Sequence, residues 1–301
     1  MEEQTITPTT VADLEILLDV WDPKYRTPEF LSEAIDSLRA EFGNPPQRFG
    51  VYIVDGLDPR SGLGRAVEVE RFGESYENDV SLLRELYGDF EDAGSTELIC
   101  VVDHQEHLPC GVIRLVRNTE ALGCRILNDL QAEGENGWGM TWEEIVAAAD
   151  FAAVAPEEII DIPTIAVSKA YQGHREVAGI SKALYAAVFQ HALRSDAQTW
   201  VCSLERVPYI LVQDSSVHVM NEFRGVPSRP YYGAPDTVPL WSNFRHHEAY
   251  LRKYHPAAHA MFTFSEGLTD RYFFGFTTPA EWDPLGDDVI DLRLYEGVPT
   301  S

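Results

Sequence analysis

The sequence predicts an α/β fold in which a central sheet is layered with helices, and two observations carry that expectation. Short apolar runs rich in Val and Ile, such as "TELICVVD" and "IIDIPTIAV", alternate with longer segments of helical period, such as "VAGISKALYAAVFQHALR". From residue 97 onward the order is strand–strand–helix–strand–helix–strand–helix–strand, which packs as layers. At 301 residues, 45% hydrophobic and 11% aromatic, the chain can bury a sizeable core.

In chain order, "TTVADLEILLDVW" and "TPEFLSEAIDSLRAEFG" read as helices behind Thr caps, and "RFGVYIVDG" (48–56) reads as a short strand. "LDPRSGLGR" is rich in Gly and Pro and marks a boundary. Residues 1–64 are therefore expected to form an N-terminal helical extension, packed on a core domain of residues 65–301 that carries a C-terminal extension. "TELICVVDHQEHLPCGVIRLV" reads as two strands joined by a polar turn containing Pro109, and "TWEEIVAAAD" as a helix. In "IIDIPTIAV" (159–167), Pro163 cannot donate to a ladder, which predicts a bulge or a one-sided strand. "VAGISKALYAAVFQHALR" puts Val177, Ile180, Leu184, Ala187 and Val188 on one helical face. "TWVCSLE" is the next strand, and "YILVQDSSVHVMNEF" a helix running to Arg224–Gly225. "PYYGAP" and "TVPLW" then lead to a helix around "FRHHEAYLRKYH", and the aromatic segments of "HAMFTFSEGLTDRYFFGF" are strand-like.

A net charge of −26 argues against nucleic acid as a partner, because phosphate binding needs a basic surface. No apolar run approaches the roughly 20 residues that cross a bilayer, and "MEEQTITPTT" lacks the charged and apolar segments of a signal peptide. The cysteines (Cys100, Cys110, Cys124, Cys202) are scattered, without zinc spacing, and a cytoplasmic location is the expectation. Among the histidines, His246 and His247 are adjacent and His255 and His259 have i, i+4 spacing. Pro256 interrupts the second pair and no acidic ligand completes a motif, so no metal is expected.

The stretch "YQGHREVAGISKAL" joins a strand to a helix through a Gly-containing turn. A helix N-terminus offers free N–H groups and a partial positive charge, a setting for an anion. Gly173 and Gly179 let backbone approach a ligand, and His174, Arg175 and Lys182 add charge nearby. An ordinary tight connection is the other reading of the same residues.

The stretch also resembles the acyl-carrier loop of the GNAT superfamily of N-acetyltransferases, in which a strand ending in "AV" leads through a Gly-rich turn to a helix patterned G-I-G-x-x-L. Here "IAV" precedes Gly179-Ile180-Ser181-Lys182-Ala183-Leu184. The resemblance implies a GNAT-like three-layer α/β/α sandwich with a mixed central sheet. It implies that the strand backbone at Thr164, Ile165, Ala166 and Val167 pairs with the pantetheine arm of an acyl donor. It also implies that the amides of Val177, Ala178, Gly179, Ile180 and Ser181, helped by Lys182, hold the donor's phosphates. The family's Arg/Gln of this loop corresponds to Gln172 or Arg175.

A narrower resemblance spans residues 87–205 and points to the acyl-homoserine-lactone (autoinducer) synthase branch. Asp89, Asp92, Gly111, Arg114, Thr119, Asp161 and Ala166–Val167 fall at positions of that pattern. It implies that Asp89, Asp92 and Arg114 shape the amine side of the site. Where the branch has Glu-x-x-Arg before "AV", this chain has Asp161-x-x-Thr164, so it reads as a divergent relative.

Acyl transfer from a thioester to an amine needs a base, an oxyanion donor and a leaving thiolate. Glu205, at the end of the strand after the carrier helix, is a candidate base; it also reads as an exposed residue opening the next helix. Asp89 and Asp92 hold or deprotonate an amine, or form a solvated acidic loop. Arg114, inside the apolar "CGVIRLV", needs a partner, with Asp89, Asp92 and Asp161 the candidates. The superfamily's usual Tyr acid falls on Asn221, leaving Tyr209, Tyr231 and Tyr232 nearby. The function expected is an N-acyltransferase moving acyl groups other than amino-acyl groups. Its donor would be acyl-CoA or the phosphopantetheine of an acyl carrier protein, neither tightly bound, and its acceptor a small amine or amino-acid-like molecule. The alternative is a non-catalytic module of the same fold that binds an acyl carrier or small ligand.

Overall fold

A computed structural model of the chain describes residues 19–75, 80–149, 154–172, 178–195, 197–216 and 220–276. The expected helix in "TTVADLEILLDVW" falls outside them as far as residue 18, and residues 19–21 are turn. The first helix, α1 (Pro28–Glu41), begins where the sequence indicates. Thr27 caps it by accepting from the Phe30 N–H at 3.3 Å, and Pro28 occupies the first turn, where a missing N–H is harmless. β1 (Phe49–Asp55), α2 (Gly62–Ser75) and α3 (Val80–Asp92) follow. The boundary expected near residue 64 thus falls inside a helix, and β1 lies within the main sheet. Residues 57–65 misled because a Pro–Gly-rich stretch also suits a short 3-10 turn (Pro59–Ser61) running straight into α2.

β2 (Thr96–Asp103) and β3 (Leu108–Arg117) form the expected hairpin, except that Pro109 lies within β3, opposite Val102 at a register shift, and not in the turn; α4 (Arg125–Gln131) and α5 (Trp142–Ala149) follow. β4 (Ile159–Val167), α6 (Ala178–Arg194) and β5 (Thr199–Glu205) make a parallel crossover unit. α7 (Arg206–Ser216) follows, and where the sequence reads as helix running to Arg224–Gly225, residues 221–222 form a short strand, β6 (Asn221–Glu222). β7 (Arg229–Tyr231), β8 (Ala234–Asn243) and α8 (Phe244–Tyr254) come next. The first half of the aromatic segment expected as strand is helix α9 (Pro256–Phe264), and only β9 (Tyr272–Phe274) is strand. Pro256 at the helix start, followed by two alanines, outweighs the β-preference of the phenylalanines.

The strands form one mixed sheet in the order β6-β8-β5-β4-β3-β2-β1-β9, with β7 on β8. Alternate residues of each strand feed opposite cores. Val51, Ile99, Val101 and Ile113 face α6, α8 and α9, whereas Val54, Leu98, Cys100 and Val112 face α1 and α2. The result is the expected three-layer α/β/α sandwich with a mixed central sheet. Gly111 lets α6 close on β3, since a Cβ there would come within 2.9 Å of the Ile180 side chain.

Pro163 acts as expected. Arg114 pairs with Thr164 and Val116 with Asp161, so Ile162 and Pro163 together face Leu115, a bulge. On its other side β4 pairs with β5 from Ile159 to Asp161 and no further. β4 stays on β3 to Val167, and β5 stays on β8 to Glu205. The two central strands therefore diverge.

Arg114 is wholly buried, as its place in an apolar strand required, but its partners are Glu68 of α2 and Glu91 of α3, not Asp89, Asp92 or Asp161. Its Nε and Nη2 donate to the two Glu68 oxygens at 2.9 and 2.6 Å, and its Nη1 donates to Glu91 Oε1. Arg65 donates to the same Glu91 oxygen at 2.7 Å, and the Thr164 hydroxyl donates to Glu68 at 2.5 Å. Tyr87 lies over the Arg114 guanidinium at 4.7 Å. Burial alone would raise the Glu68 carboxyl above its ordinary value, but Arg114 and Thr164 more than reverse this and hold it low. Two buried cations and two buried anions thus tie α2, α3, β3 and β4 together. Replacing Arg114 with Ala strips Glu68 of its bidentate cation and leaves Glu91 with Arg65 alone, and is expected to cost about 3–5 kcal/mol in urea unfolding. Glu68 titrates low when folded, so its contribution is expected in full above its ordinary value of 4.5 and is lost as pH falls through the depressed one.

Candidate active site

The divergence at Asp161 opens a cavity on each face of the sheet. On the α6–α8–α9 face, Ile162, Ile165, Val188, Phe189, Leu204 and Phe262 bound about 570 Å³ of empty space, partly open to solvent. Its walls are almost entirely hydrocarbon. On the opposite face lies a more polar space of about 720 Å³, partly open to solvent, in which Arg125, Asp161, Ser203, Glu205 and Thr237 stand among apolar neighbours such as Leu83 and Ile126. Strand alternation separates the two: Cys202 and Leu204 of β5 point into the first, Ser203 and Glu205 into the second.

Asp161 is the central group of the polar cavity. Its side chain is fully buried at the last residue of β4 that pairs with β5. Oδ2 accepts from the Ile126 N–H at 2.9 Å, at the start of α4, while Oδ1 has no hydrogen-bond partner among the described residues. Burial pushes its pKa up to about 7, against which the Ile126 N–H acts only in part. Thr237 Oγ1, on the residue paired with Glu205, is also buried without a hydrogen-bond partner among the described residues. Two oxygens therefore face this cavity ready to accept or share a proton. Alongside them, Arg125 donates to Asp129 at 2.9 Å and lies 5.0 Å from the Tyr232 ring, and the Tyr231 hydroxyl donates to Asp129 at 2.5 Å.

The structure brings together only part of the residues chosen from sequence. Glu205 is half-buried at the open end of β5 and borders the polar cavity. Asp89 and Asp92 do not reach it. They sit on the exposed side of α3, because the helical period turns Leu83, Tyr87, Phe90 and Glu91 inward. Arg114 stands behind the wall, covered by Tyr87 and Thr164. Of the carrier residues, Thr164 borders the polar cavity, Ile165 the apolar one, and Ala166 is buried towards α2. Val167 is half-buried, and the exposed Gln172 donates back to its carbonyl at 3.2 Å. Gly173, His174, Arg175 and Val177 lie outside the described residues. The described part of helix α6 starts at Ala178; within it Ile180 is buried and Lys182 exposed.

Gly179 has a different reason to be glycine. The space a Cβ would take is filled by Tyr272 of β9, whose ring carbons would lie 3.1 Å away and whose hydroxyl would lie closer still. The clearance is for an aromatic side chain, not for an approaching phosphate. Asn221 lies in β6, and Tyr231 and Tyr232 border the polar cavity, so two of the three tyrosines considered from sequence reach the site. Asp161 was legible as an acidic position but not as the buried carboxylate of the site, because its desolvation comes from α4 and β5.

No family model matches the chain, and no curated protein matches it. Solved structures do. The chain is similar to FeeM, an N-acyl amino acid synthase from uncultured soil microbes, at 13% identity. That match covers 68% of this chain and 94% of FeeM, with a TM-score of 0.46. It is similar to the acyl-homoserine-lactone synthase LasI at 14% identity, over 66% of this chain and 91% of that one, TM-score 0.42. A third match is BjaI, a CoA-dependent acyl-homoserine lactone synthase, at 11% identity over 83% and 99% of the two chains, TM-score 0.44. At these identities the likeness concerns fold alone. No helix among the described residues is long and apolar enough to cross a membrane.

Gly179→Ala is expected to lower stability by roughly 1–3 kcal/mol by crowding Tyr272. The Tyr272 hydroxyl is buried with no hydrogen-bond partner among the described residues, so Tyr272→Phe is expected to restore part of that loss in the double variant. Urea unfolding of the four proteins of the cycle checks both statements.

Proposed function

We propose that the protein is an N-acyltransferase, moving an acyl group from the thioester of acyl-CoA or an acyl carrier protein to a small amine. The observation that supports it is the divergence of β4 and β5 at Asp161, with an apolar cavity on one face and a carboxylate-bearing cavity on the other. A pantetheine arm is a chain of amides, and the edge of β4 beyond Asp161, which makes no ladder with β5, offers it backbone partners around Thr164 to Val167. The acyl chain belongs in the apolar cavity and the amine in the polar one. Gln172, the N–H groups of Ala178 to Ser181 and Lys182 would hold the donor's phosphates, with Arg175 and Val177 assigned there from sequence.

In this reading Asp161 is the base. A carboxylate with a pKa near 7 matches the proton it must take from an ammonium nitrogen at neutral pH. The freed nitrogen bonds to the thioester carbon, the C–S bond breaks, and the sulfur leaves as thiolate. Glu205 and Thr237 hold the ammonium in place. Tyr232 supplies the sulfur's proton and takes in exchange the second proton that the nitrogen loses as the amide forms, whereas the Tyr231 hydroxyl is held on Asp129. Arg114 and its carboxylates fix β4 and act on the site only through Thr164. Asp89 and Asp92 have no part in it.

Thiol release from a panel of acyl-CoAs with pooled small amines tests the reading. Turnover is expected to rise with pH through an apparent pKa near 7, since only ionised Asp161 can accept the proton. Asp161→Asn is expected to lower kcat by about 10²–10⁴-fold and remove that limb of the profile. The same variant is expected to be more stable than the parent at and above neutral pH. A carboxyl whose folded pKa is raised from 3.8 to about 7 withdraws stability as pH rises between those values. A thermal shift with acyl-CoA but no thiol release with any amine would favour the non-catalytic module instead.

A further inference from the structure

The polar cavity has walls of two kinds. The sheet supplies Asp161, Glu205 and Thr237, from β4, β5 and β8. The helices above it, α2 and α3, supply Phe72, Leu83 and Leu86, which present only carbon. A space with carboxylates on one wall and hydrocarbon on another fits an amphiphile, a charged head on an apolar body.

Charge narrows the choice further. Among the described residues that border the cavity, Arg125 of α4 is the one cation, and it is already engaged. Its Nε donates to Asp129 Oδ2 at 2.9 Å, and the Tyr232 ring covers its guanidinium at 5.0 Å. Asp129 is buried, so drawing Arg125 away to a ligand would strand that carboxylate. Tyr232 is kept in place against a local preference. Tyr231 pairs with Ala234 across a two-residue turn, in which Tyr232 has φ +45° and Gly233 φ +88°. Asn-Gly suits such a turn best. The Tyr232 N–H donates to Asn136 Oδ1 at 2.9 Å, which fixes the turn. A ligand carboxylate placed next to an amine at Asp161 would therefore meet like charge and a cation whose charge is already balanced.

We infer that the acceptor is a primary amine on an apolar body and carries no carboxylate. Its ammonium sits at Asp161 and Glu205, and its body lies against Leu86 and Phe72. This inference rests on the acyl-transfer reading and adds to it the body and the charge of the acceptor.

The test measures thiol release by the full chain with acyl-CoAs from acetyl to decanoyl and three amines. These are 2-phenylethylamine, L-phenylalanine (the same body with a carboxylate) and ethylamine (the head without the body). 2-Phenylethylamine is expected to exceed each of the others in kcat/KM by roughly tenfold or more, chiefly through KM. Asp129→Asn removes the charge that balances Arg125 and keeps an acceptor for Tyr231. It is expected to lower the ratio of phenylethylamine to phenylalanine by roughly threefold or more. Leu86→Ala is expected to lower the ratio of phenylethylamine to ethylamine, and Phe72→Ala serves the same purpose if the first variant folds poorly. Equal or better use of phenylalanine by the parent protein would overturn the inference and leave acyl transfer standing, with Arg125 then a carboxylate site. Equal use of ethylamine would overturn the apolar body. Ratios unmoved by these substitutions would overturn the assignment to these residues. Release with other pooled amines but none of these three would sink the inference alone. No release with any amine would overturn the acyl-transfer reading, and the inference with it.

Discussion

The separation of β4 from β5 is the constraint on which the rest of the molecule depends. A central strand normally ladders on both sides, and β4 gives up one side beyond Asp161. The gap persists because each strand is held from its far side. β3 retains β4 to Val167, and Pro163 inserts a bulge and removes a donor. β8 retains β5 from Thr199 to Glu205. The buried Arg114–Glu68 pair, with the Thr164 hydroxyl on Glu68, fastens the diverging part of β4 to α2. Closing the gap would mean breaking a ladder or moving a desolvated ion pair, so the opening is built into the fold.

The charge of the protein takes opposite forms outside and inside. The chain carries a net −26, which favours a cationic acceptor and opposes an anionic carrier. In the buried cluster between α2, α3 and β3 charge is balanced: Arg65 and Arg114 meet Glu68 and Glu91, all wholly buried. In the proposed reading a carrier phosphate would be held by backbone N–H groups of α6, at close range, against the surrounding field. An amine faces no such opposition at Asp161 and Glu205. The same surface that would slow an anionic donor would concentrate a cationic acceptor.

Much of the scaffold was legible because it follows from local rules. Period-2 and period-3.6 patterns place β2, β3, β4, α6 and β5, and Pro163 announced its bulge. Where local signals competed, the reading failed. The phenylalanines near 262 suggested a strand, yet Pro256 and its alanines start a helix. The span around 57–65 looked like a linker, yet its residues enter α2. The site was less legible than the scaffold. That Arg114 needed an acid could be read from "CGVIRLV", but which acid could not. Glu68 and Glu91 lie among other charges on their helices, and only the packing of α2 and α3 turns those two inward.

Asp161 and Glu205 show how one opening can hold two carboxylates with different tasks. Asp161 sits at the vertex, where β5 is still paired and α4 covers the side chain, so it is desolvated and proton-hungry near neutral pH. Glu205 sits at the open end of β5, half-buried and within reach of solvent. Separated environments separate roles. The carboxylate at the vertex is suited to take a proton, and the one at the mouth to draw in and orient a cation. The buried position follows from the ladder that stops at Asp161, and the exposed one from the ladder with β8 that carries β5 on to Glu205. The strand geometry that opens the gap therefore also sets the two acids apart.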